Sequence, residues 1–338
     1  MPARLPILSV IFLTLFAACE KLLIEKDEAN TNVNNFELLW STLDRNYSFF
    51  EFKKINWDSI YSVYRPEINN NLSDRELFDK MSDMLNELRD GHVNLYSDFD
   101  ESKNLEWYSP YPSNFSSTIL ERNYLGDNFV QISNFLLTVI DSVGYIYSGS
   151  FSEKTRETDI DKIIDRLYGT KGIVFDIRNN SGGYSNTGEI IASRFADRKR
   201  LVSYTLYKSG PGHGDFSTPQ PNYVLPKGDR QFTGKTVVLT NRRTYSAAND
   251  FVLYMSAFPN VTVIGDTTGG GGGTPFDYEL LNGWRFRFPR TMTITPDGFN
   301  VEHGVPPAIQ VNQRRSDEIR GMDTILESAI QLIKSHNH

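Results

Sequence analysis

The sequence predicts an α/β fold preceded by a small helical region. Three short, mostly apolar runs, at residues 172–177, 235–240 and 261–265, have the composition of strands that are buried on both faces of a sheet. Helical stretches at about 187–195 and 246–257 alternate with these runs along the chain. Such alternation is typical of α/β proteins and places the main core in this part of the chain.

Residues 34–90 are predicted to form the helical domain. One apolar stripe recurs at helical spacing in Phe36, Leu39, Trp40, Leu43 and Tyr47. A later helix opens at Ser73 with Glu76 three residues on, the pattern of a capping box. Residues 91–338 then form the second domain, in which the polar stretch 97–142 is predicted to be an irregular insert.

Composition excludes several classes of protein. The 338 residues are 39% hydrophobic and carry a net charge of −7, which argues against intrinsic disorder and against binding to nucleic acid. No His, Cys and carboxylate residues share metal-ligand spacing, so we expect no metal and no other cofactor. The five glycines at 269–273 are not followed by Lys-Ser or Lys-Thr, so they are not a phosphate-binding loop.

The amino terminus has the pattern of an export signal. Arg4 precedes an apolar run that is too short to span a bilayer, and Ala17-Ala18-Cys19 resembles a bacterial lipobox, with Phe16 where leucine is usual. Cys19 is the only cysteine. We expect a lipoprotein signal peptide over 1–18, a lipid on Cys19, a polar tether over 19–33, and attachment to a membrane of the bacterial cell envelope. A plain secretory signal or an uncleaved anchor is the alternative.

Ser246 is the first candidate for chemistry. It follows the predicted strand 235–240 after a short turn and opens a helix. At a helix amino terminus, free backbone N–H groups and the helix dipole stabilise a developing negative charge, as acyl transfer requires. A serine at this position is also a common structural N-cap. The run 175–183, Phe-Asp-Ile-Arg-Asn-Asn-Ser-Gly-Gly, is the second candidate, because its glycines leave backbone amides accessible; the alternative is a tight turn.

These two motifs, together with Leu-Arg-Asp-Gly-His-Val at 88–93, resemble the tail-specific (C-terminal processing) serine peptidases of family S41. The resemblance covers residues 34–334 and implies a crotonase-like or ClpP-like core of stacked ββα units. One branch of this family uses a Ser-Lys dyad, but no lysine lies between Ser246 and Lys334. The other branch, typified by the tricorn protease core, uses Ser, His and Glu. Glu302 opens the Glu-His-Gly-Val-Pro-Pro segment that resembles its glutamate motif, although Ala308 stands where that motif has Asp.

The resemblance assigns a role to each site residue. Ser246 is expected to be the nucleophile, with His92, whose ordinary pKa is near 6.5, as its general base. Glu302 is expected to accept a hydrogen bond from the other nitrogen of the His92 ring. The amides of Gly182 and Ala247 are expected to bind the oxyanion, with Gly183 as the alternative donor. His303 is a second candidate for the base.

The resemblance implies an endopeptidase that cleaves exposed or unfolded polypeptides, including regions near their C-termini, through an acyl-enzyme. Residues 97–142 are too few for a complete PDZ domain, so we expect substrates to be chosen in some other way. Two alternatives stay open. The same fold occurs in retinoid-carrying proteins of the vertebrate eye, which suggests a catalytically silent ligand- or peptide-binding lipoprotein, and crotonase-like chains also include acyl-CoA enzymes.

Overall fold

The computed structural model describes residues 29–104 and 108–335. The predicted signal peptide, the lipidation site at Cys19, most of the predicted tether, His336 and His338 lie outside these residues. Within them, no helix is both long and apolar enough to cross a bilayer.

The amino-terminal region contains four α-helices. They are α1 (Asn32–Asn46), α2 (Phe50–Lys53), α3 (Trp57–Tyr64) and α4 (Asp74–Asn86). The capping box predicted at the start of α4 is present, because Ser73 accepts from the amide of Glu76 while the Glu76 carboxylate accepts from the amide of Ser73. The apolar faces of these helices share a core that includes Phe36, Leu39, Trp57, Leu77 and Met81.

A seven-stranded sheet forms the centre of the second region. Its strands, in spatial order, are β14 (Ile309–Gln310), β10 (Val261–Gly265), β9 (Thr236–Thr240), β6 (Ile173–Asp176), β5 (Val143–Tyr147), β4 (Phe135–Ile140) and β3 (Val130–Ile132). Pairing is parallel from β14 to β5 and antiparallel from β5 to β3. The three apolar runs predicted to be buried strands are β6, β9 and β10.

Helices cover both faces of this sheet. On one face lie α6 (Glu157–Leu167), α7 (Thr187–Ala192) and α8 (Ala247–Ser256), and on the other lies the carboxy-terminal α10 (Thr324–Lys334), which follows α9 (Arg315–Ile319). Arg178 ties α10 to the sheet, because its buried guanidinium pairs with Asp176 at 2.5 Å and with Asp323, the N-cap of α10, at 2.7 Å. The Asp-x-Arg part of the 175–183 motif is therefore structural.

A four-stranded antiparallel sheet joins the two regions. Its order is β11 (Pro275–Glu279), β12 (Arg285–Pro289), β1 (Asn94–Tyr96) and β2 (Glu101–Lys103). One face of the sheet packs on the core of the helical region through Leu95, Phe286 and Phe288. The opposite face carries a cross-strand row of polar residues, namely Asp277, Arg287, Asn94 and Lys103. Alternation along each strand separates the two faces.

The stretch 97–142 is more regular than expected. It contributes β2, a short helix α5 (Ser117–Leu120), and strands β3 and β4 of the central sheet. These strands were not predicted from the sequence because β3 and β4 lie toward one edge of the sheet, where one face meets solvent and the apolar pattern is weak. A separate three-stranded sheet contains β13 (Thr291–Ile294), β7 (Arg200–Tyr207) and β8 (Gln220–Val224). The predicted α/β class with an amino-terminal helical region is confirmed.

Candidate active site

Ser246 lies in a strained turn between β9 and α8. Its backbone has φ +56° and ψ −128°, a combination that costs a non-glycine residue about 1–3 kcal/mol. Its side chain makes no capping hydrogen bond to the helix that it precedes, so the hydroxyl is free for another role. A serine on a sharp strand-to-helix turn is the arrangement in which α/β-hydrolases present their nucleophile.

Neighbouring backbone holds this turn in place. The amide of Ser246 donates to the carbonyl of Gly270 at 2.9 Å, and the amide of Tyr245 donates to the carbonyl of Asn180 at 3.0 Å. Gly182, at φ +91°, comes so close that a Cβ atom built there would lie 2.8 Å from the Cβ atom of Ser246. Gly182 is therefore required by its close approach to the serine, whereas Gly183 is required by its close approach to the backbone of Phe151.

His92 brings its ring to Ser246 from the turn that precedes β1. The Nε2 atom of His92 lies 2.9 Å from the Oγ atom of Ser246, although the two residues are 154 positions apart in the sequence. The backbone amide of His92 donates to the Oδ1 atom of Asp90 at 2.8 Å, which shapes the Asp-Gly-His turn. The ring of Tyr245 packs on His92 with centroids 4.9 Å apart, and it lies so close to residue 91 that glycine fits there best.

Burial keeps His92 neutral. Desolvation lowers the pKa of His92 to about 4, with the charges of Arg287 and Lys53 acting in the same direction and Asp90 opposing them. The imidazole can therefore accept a proton from Ser246 over a wide pH range. The backbone of Gly273 lies beside the ring and raises its pKa, but no group of the described residues meets the buried Nδ1 atom with the geometry of a hydrogen bond.

Glu302 does not make the expected hydrogen bond to His92. Its Oε1 atom pairs with Lys53 at 2.8 Å, and its Oε2 atom accepts from the amide of Gly272 at 3.0 Å. Both carboxylate oxygens thus have other partners, and the direct contact predicted from the motif is wrong. Desolvation raises the pKa of Glu302 to about 7, with Asp90 adding to the shift and Lys53 opposing it.

Lys53, at the end of α2, is a site residue that the sequence did not reveal. Its ammonium group lies between Glu302 and Asp90, 3.0 Å from the latter, and 4% of its side chain is exposed. Tyr47 completes the cluster by donating to Asp90 at 2.7 Å. Desolvation lowers the pKa of Lys53, but the two carboxylates outweigh this and raise it. No local pattern marks Lys53, because its partners are 37 and 249 residues away.

The amides expected to bind an oxyanion differ in their availability. The amide of Gly182 already donates to the Oδ1 atom of Asn180 at 2.9 Å, so the expectation that it is a free donor is wrong. The amides of Gly183 and Ala247 donate to no other described residue. Ala247 is the first residue of α8, where the helix leaves its N–H groups unpaired. Gly183, the alternative donor, therefore fits better than Gly182.

Ser246 and His92 open into a cleft of about 700 Å³. The polar face of the four-stranded sheet forms the wall beside His92, with Asn94, Lys103 and Arg287. Ser150, Ser152, Tyr184 and Asp250 also line the cleft. Desolvation raises the pKa of the half-buried Asp250 to about 7. The cleft is large enough to hold part of a polypeptide, and polar side chains are among the residues that line it.

The other described histidines do not contact Ser246. His303, the second candidate for the base, packs on Phe52 with centroids 4.8 Å apart. His213 bonds to Asp44 at 2.9 Å on the surface of the helical region. His92 is the histidine that reaches Ser246.

Two family profiles match this chain. The profile of peptidase family S41 matches residues 142–311, about half of the chain. The profile of the tricorn protease C1 domain matches residues 29–86, which form the helical region. Carboxy-terminal processing protease CtpA of Bacillus subtilis (strain 168) is 28% identical over 173 residues, which are 50% of this chain and 35% of that protein. The chain thus spans about a third of the length of this relative.

Solved structures extend the match to the whole fold. A protein of Parabacteroides merdae ATCC 43184, solved as a candidate peptidase, is 41% identical with a TM-score of 0.85, and the match covers 90% of this chain and 97% of that one. Mature CPAF complexed with lactacystin has a TM-score of 0.68 over 90% of this chain and 97% of its own, and at 12% identity it supports the fold alone. The chain therefore belongs to peptidase family S41, the family of the carboxy-terminal processing serine proteases.

Proposed function

We propose that this chain is a serine endopeptidase that cleaves exposed or unfolded polypeptides through an acyl-enzyme. The observation that carries the proposal is the 2.9 Å contact between the Nε2 atom of His92 and the Oγ atom of a serine held in a strained turn at a helix amino terminus. A nucleophile, a neutral base and free backbone amides then meet in one cleft, which are the parts that acyl transfer needs.

The first half of the reaction uses all of these parts. Ser246 attacks the carbonyl carbon of the scissile bond while His92 takes the hydroxyl proton at Nε2. The amides of Ala247 and Gly183 donate to the oxyanion, and each such donor is worth about 3–4 kcal/mol in the transition state. His92 then gives the proton to the leaving amine, the C–N bond breaks, and the amine product leaves an ester on Ser246.

Water completes the cycle. His92 takes a proton from the attacking water, the tetrahedral intermediate collapses, and the same proton returns to Ser246 as the acid product leaves. Glu302 acts in this proposal by positioning rather than by bonding to His92. It holds the amide of Gly272, and the backbone of the next residue, Gly273, lies beside the imidazole and raises its pKa. Lys53 pairs with both Glu302 and Asp90. It therefore helps to position both the glycine loop, which Glu302 contacts, and the turn of His92, which Asp90 contacts.

The relatives support a polypeptide substrate. CtpA of Bacillus subtilis is named a carboxy-terminal processing protease, and another relative, from Streptomyces coelicolor, is named a tricorn protease homolog. Because this chain spans only part of those proteins, their cleavage at C-termini enters here as part of the proposal. We also propose that the protein selects its substrates without a complete PDZ domain in residues 97–142.

A fluorophosphonate probe tests the proposal, because it reacts with activated serines. The purified protein is treated with the probe, and the adduct is mapped by mass spectrometry beside the Ser246→Ala and His92→Ala variants. We expect labelling at Ser246 that is lost in the first variant and reduced by about 10⁴-fold or more in the second. Cleavage of an unfolded polypeptide such as casein should follow the same order.

Two other outcomes would favour the alternatives. A folded protein that takes no label and cleaves nothing would be a silent binding module. An activity that survives Ser246→Ala would point to chemistry that uses the oxyanion amides without the serine, as acyl-CoA enzymes do.

We also propose that Cys19 carries a lipid that anchors the protein to a membrane of the cell envelope. The support is the small-residue run that ends at the single cysteine of the chain. A mature amino-terminal peptide that begins at Cys19 with a diacylglyceryl mass would agree with it, and an unmodified peptide would rule it out.

A further inference from the structure

Arg287 is a cation without an acidic partner in the wall of the catalytic cleft. It lies on β12 and lines the cleft together with His92 and Ser246. Its Nε atom donates to the Oδ1 atom of Asn94 at 2.7 Å, which fixes the side chain. Among the described residues, no carboxylate lies within 4.0 Å of its guanidinium, and its two terminal nitrogens have no acceptor.

The neighbours of Arg287 do not neutralise it. Asp277 lies directly opposite on β11, but no ion pair forms between the two side chains. Lys103, in the same cross-strand row, is paired with Glu101 at 2.5 Å. Asp250, which also lines the cleft, has its pKa raised to about 7 by desolvation, so it is only partly charged at neutral pH. A half-buried guanidinium held in place with both terminal nitrogens open is suited to bidentate binding of a carboxylate.

The position of Arg287 indicates which part of a substrate it meets. Asn94, which holds Arg287, is the first residue of β1 and comes two residues after His92, and the charge of Arg287 is close enough to lower the pKa of His92. In the proposed reaction His92 protonates the leaving amine, so the leaving peptide lies beside His92. Arg287 is therefore next to the residues that follow the scissile bond.

We propose that Arg287 is a specificity-determining residue that binds a substrate carboxylate on the leaving-group side of the scissile bond. The inference rests on the proposed peptidase function. A carboxylate there also cancels the charge that disfavours protonated His92, so a matching substrate makes the base stronger when it binds. The carboxylate has two sources, an Asp or Glu side chain or the free C-terminus of the polypeptide.

Paired peptides test this inference. A peptide library is cleaved with wild-type protein, and the best site with an acidic residue after the scissile bond is synthesised in acidic and amide forms (Asp and Asn, or Glu and Gln). We expect wild type to favour the acidic form by about 10- to 100-fold in kcat/KM, the range for hydrogen bonds to a charged group. R287Q, which keeps a donor for Asn94, should bring the ratio to about one, and R287K should be intermediate.

Arg285 provides the matched control. It lies two residues away on the same strand and the same face, is exposed, and is not part of the cleft wall. R285Q should keep the wild-type ratio. Fluorophosphonate labelling of Ser246 should be retained in R285Q. Cleavage of the amide-form peptide, which the R287Q ratio requires, shows that the site of R287Q still works.

The source of the carboxylate is decided with a second library whose peptides end in carboxamide. If cleavage near the C-terminal end of the peptides is lost when they end in carboxamide, the C-terminal carboxylate is the group that Arg287 binds. The peptide pair to compare is then the one that ends in a free acid and the one that ends in an amide.

Failure of the inference and failure of the function look different. If wild type takes the label and cleaves but shows no preference for either carboxylate, or if R287Q keeps the preference, the role of Arg287 is refuted. If wild type neither takes the label nor cleaves, the peptidase function itself is refuted, and the inference falls with it.

Discussion

Replacing Lys53 by Met should damage both stability and the active site. The side chain is 4% exposed and makes two charge-assisted hydrogen bonds, of 3.0 Å to Asp90 and 2.8 Å to Glu302. Its removal leaves two buried carboxylates without their cation. Breaking a buried ion pair from one side costs about 3–5 kcal/mol, so we expect a loss of this size in the free energy of unfolding at pH 8.

The loss should shrink in acid. The pKa of Glu302 is raised to about 7, above its ordinary value of 4.5. At pH 5.5 this carboxyl is protonated with or without Lys53, so only the pair with Asp90 is lost and the deficit should fall to roughly half. Replacing Glu302 by Gln in the same background removes the titrating group, and the deficit of the Lys53 variant should then no longer depend on pH.

Urea unfolding followed by tryptophan fluorescence measures the free energy of unfolding. The rate of fluorophosphonate labelling measures the reactivity of Ser246, under conditions where each variant is folded. Lys54→Met is the matched control, because Lys54 is adjacent and exposed. We expect Lys53→Met to label about 10- to 100-fold more slowly, since the Asp-Gly-His turn loses its support. Unfolding and labelling equal to those of Lys54→Met would refute this account of the cluster.

Two further predictions concern the base and the nucleophile. The rate of labelling should fall in acid with a midpoint near pH 4, because desolvation lowers the pKa of His92 to about 4 and protonation removes the base. Asp250, with a pKa of about 7, also titrates in the cleft, so the Asp250→Asn variant is measured as well. A midpoint near pH 6.5 in both proteins would contradict the prediction. Gly182→Ala should slow labelling by about 100-fold, because the added methyl group meets the backbone and Cβ of the nucleophile's turn at 2.7–2.9 Å. Gly298→Ala is its control, with φ +88° and no atom within 4 Å, and equal labelling of the two variants would refute the steric argument.

Several features of the fold could be predicted from local patterns. The apolar runs at 172–177, 235–240 and 261–265 predicted the buried parallel strands, because a strand buried on both faces must be apolar throughout. The capping box at Ser73 predicted a helix start for a similarly local reason. The edge strands in 97–142 were missed, because an edge strand needs little apolar character and its pairing partners lie elsewhere in the chain.

The residues of the active site also divide into those that could be predicted from local sequence patterns and those that could not. Motifs in the sequence were sufficient to nominate Ser246 and His92, since each stands in a short pattern that determines its own local backbone. Whether Glu302 bonds to His92 or to Lys53 depends on how the helical region packs against the sheet. A pairing between groups separated by hundreds of residues leaves no periodic or local trace.

The sequence by itself therefore determined the α/β class, the strand-to-helix turn at Ser246 and the membership of a serine peptidase family, all of which depend on short-range patterns. The tertiary structure alone decided which amides are free, placed Lys53 between Asp90 and Glu302, and left Arg287 without an acidic partner beside His92. The physical reason is that hydrogen bonds and desolvation depend on distances between side chains. Those distances are set only when distant segments pack together.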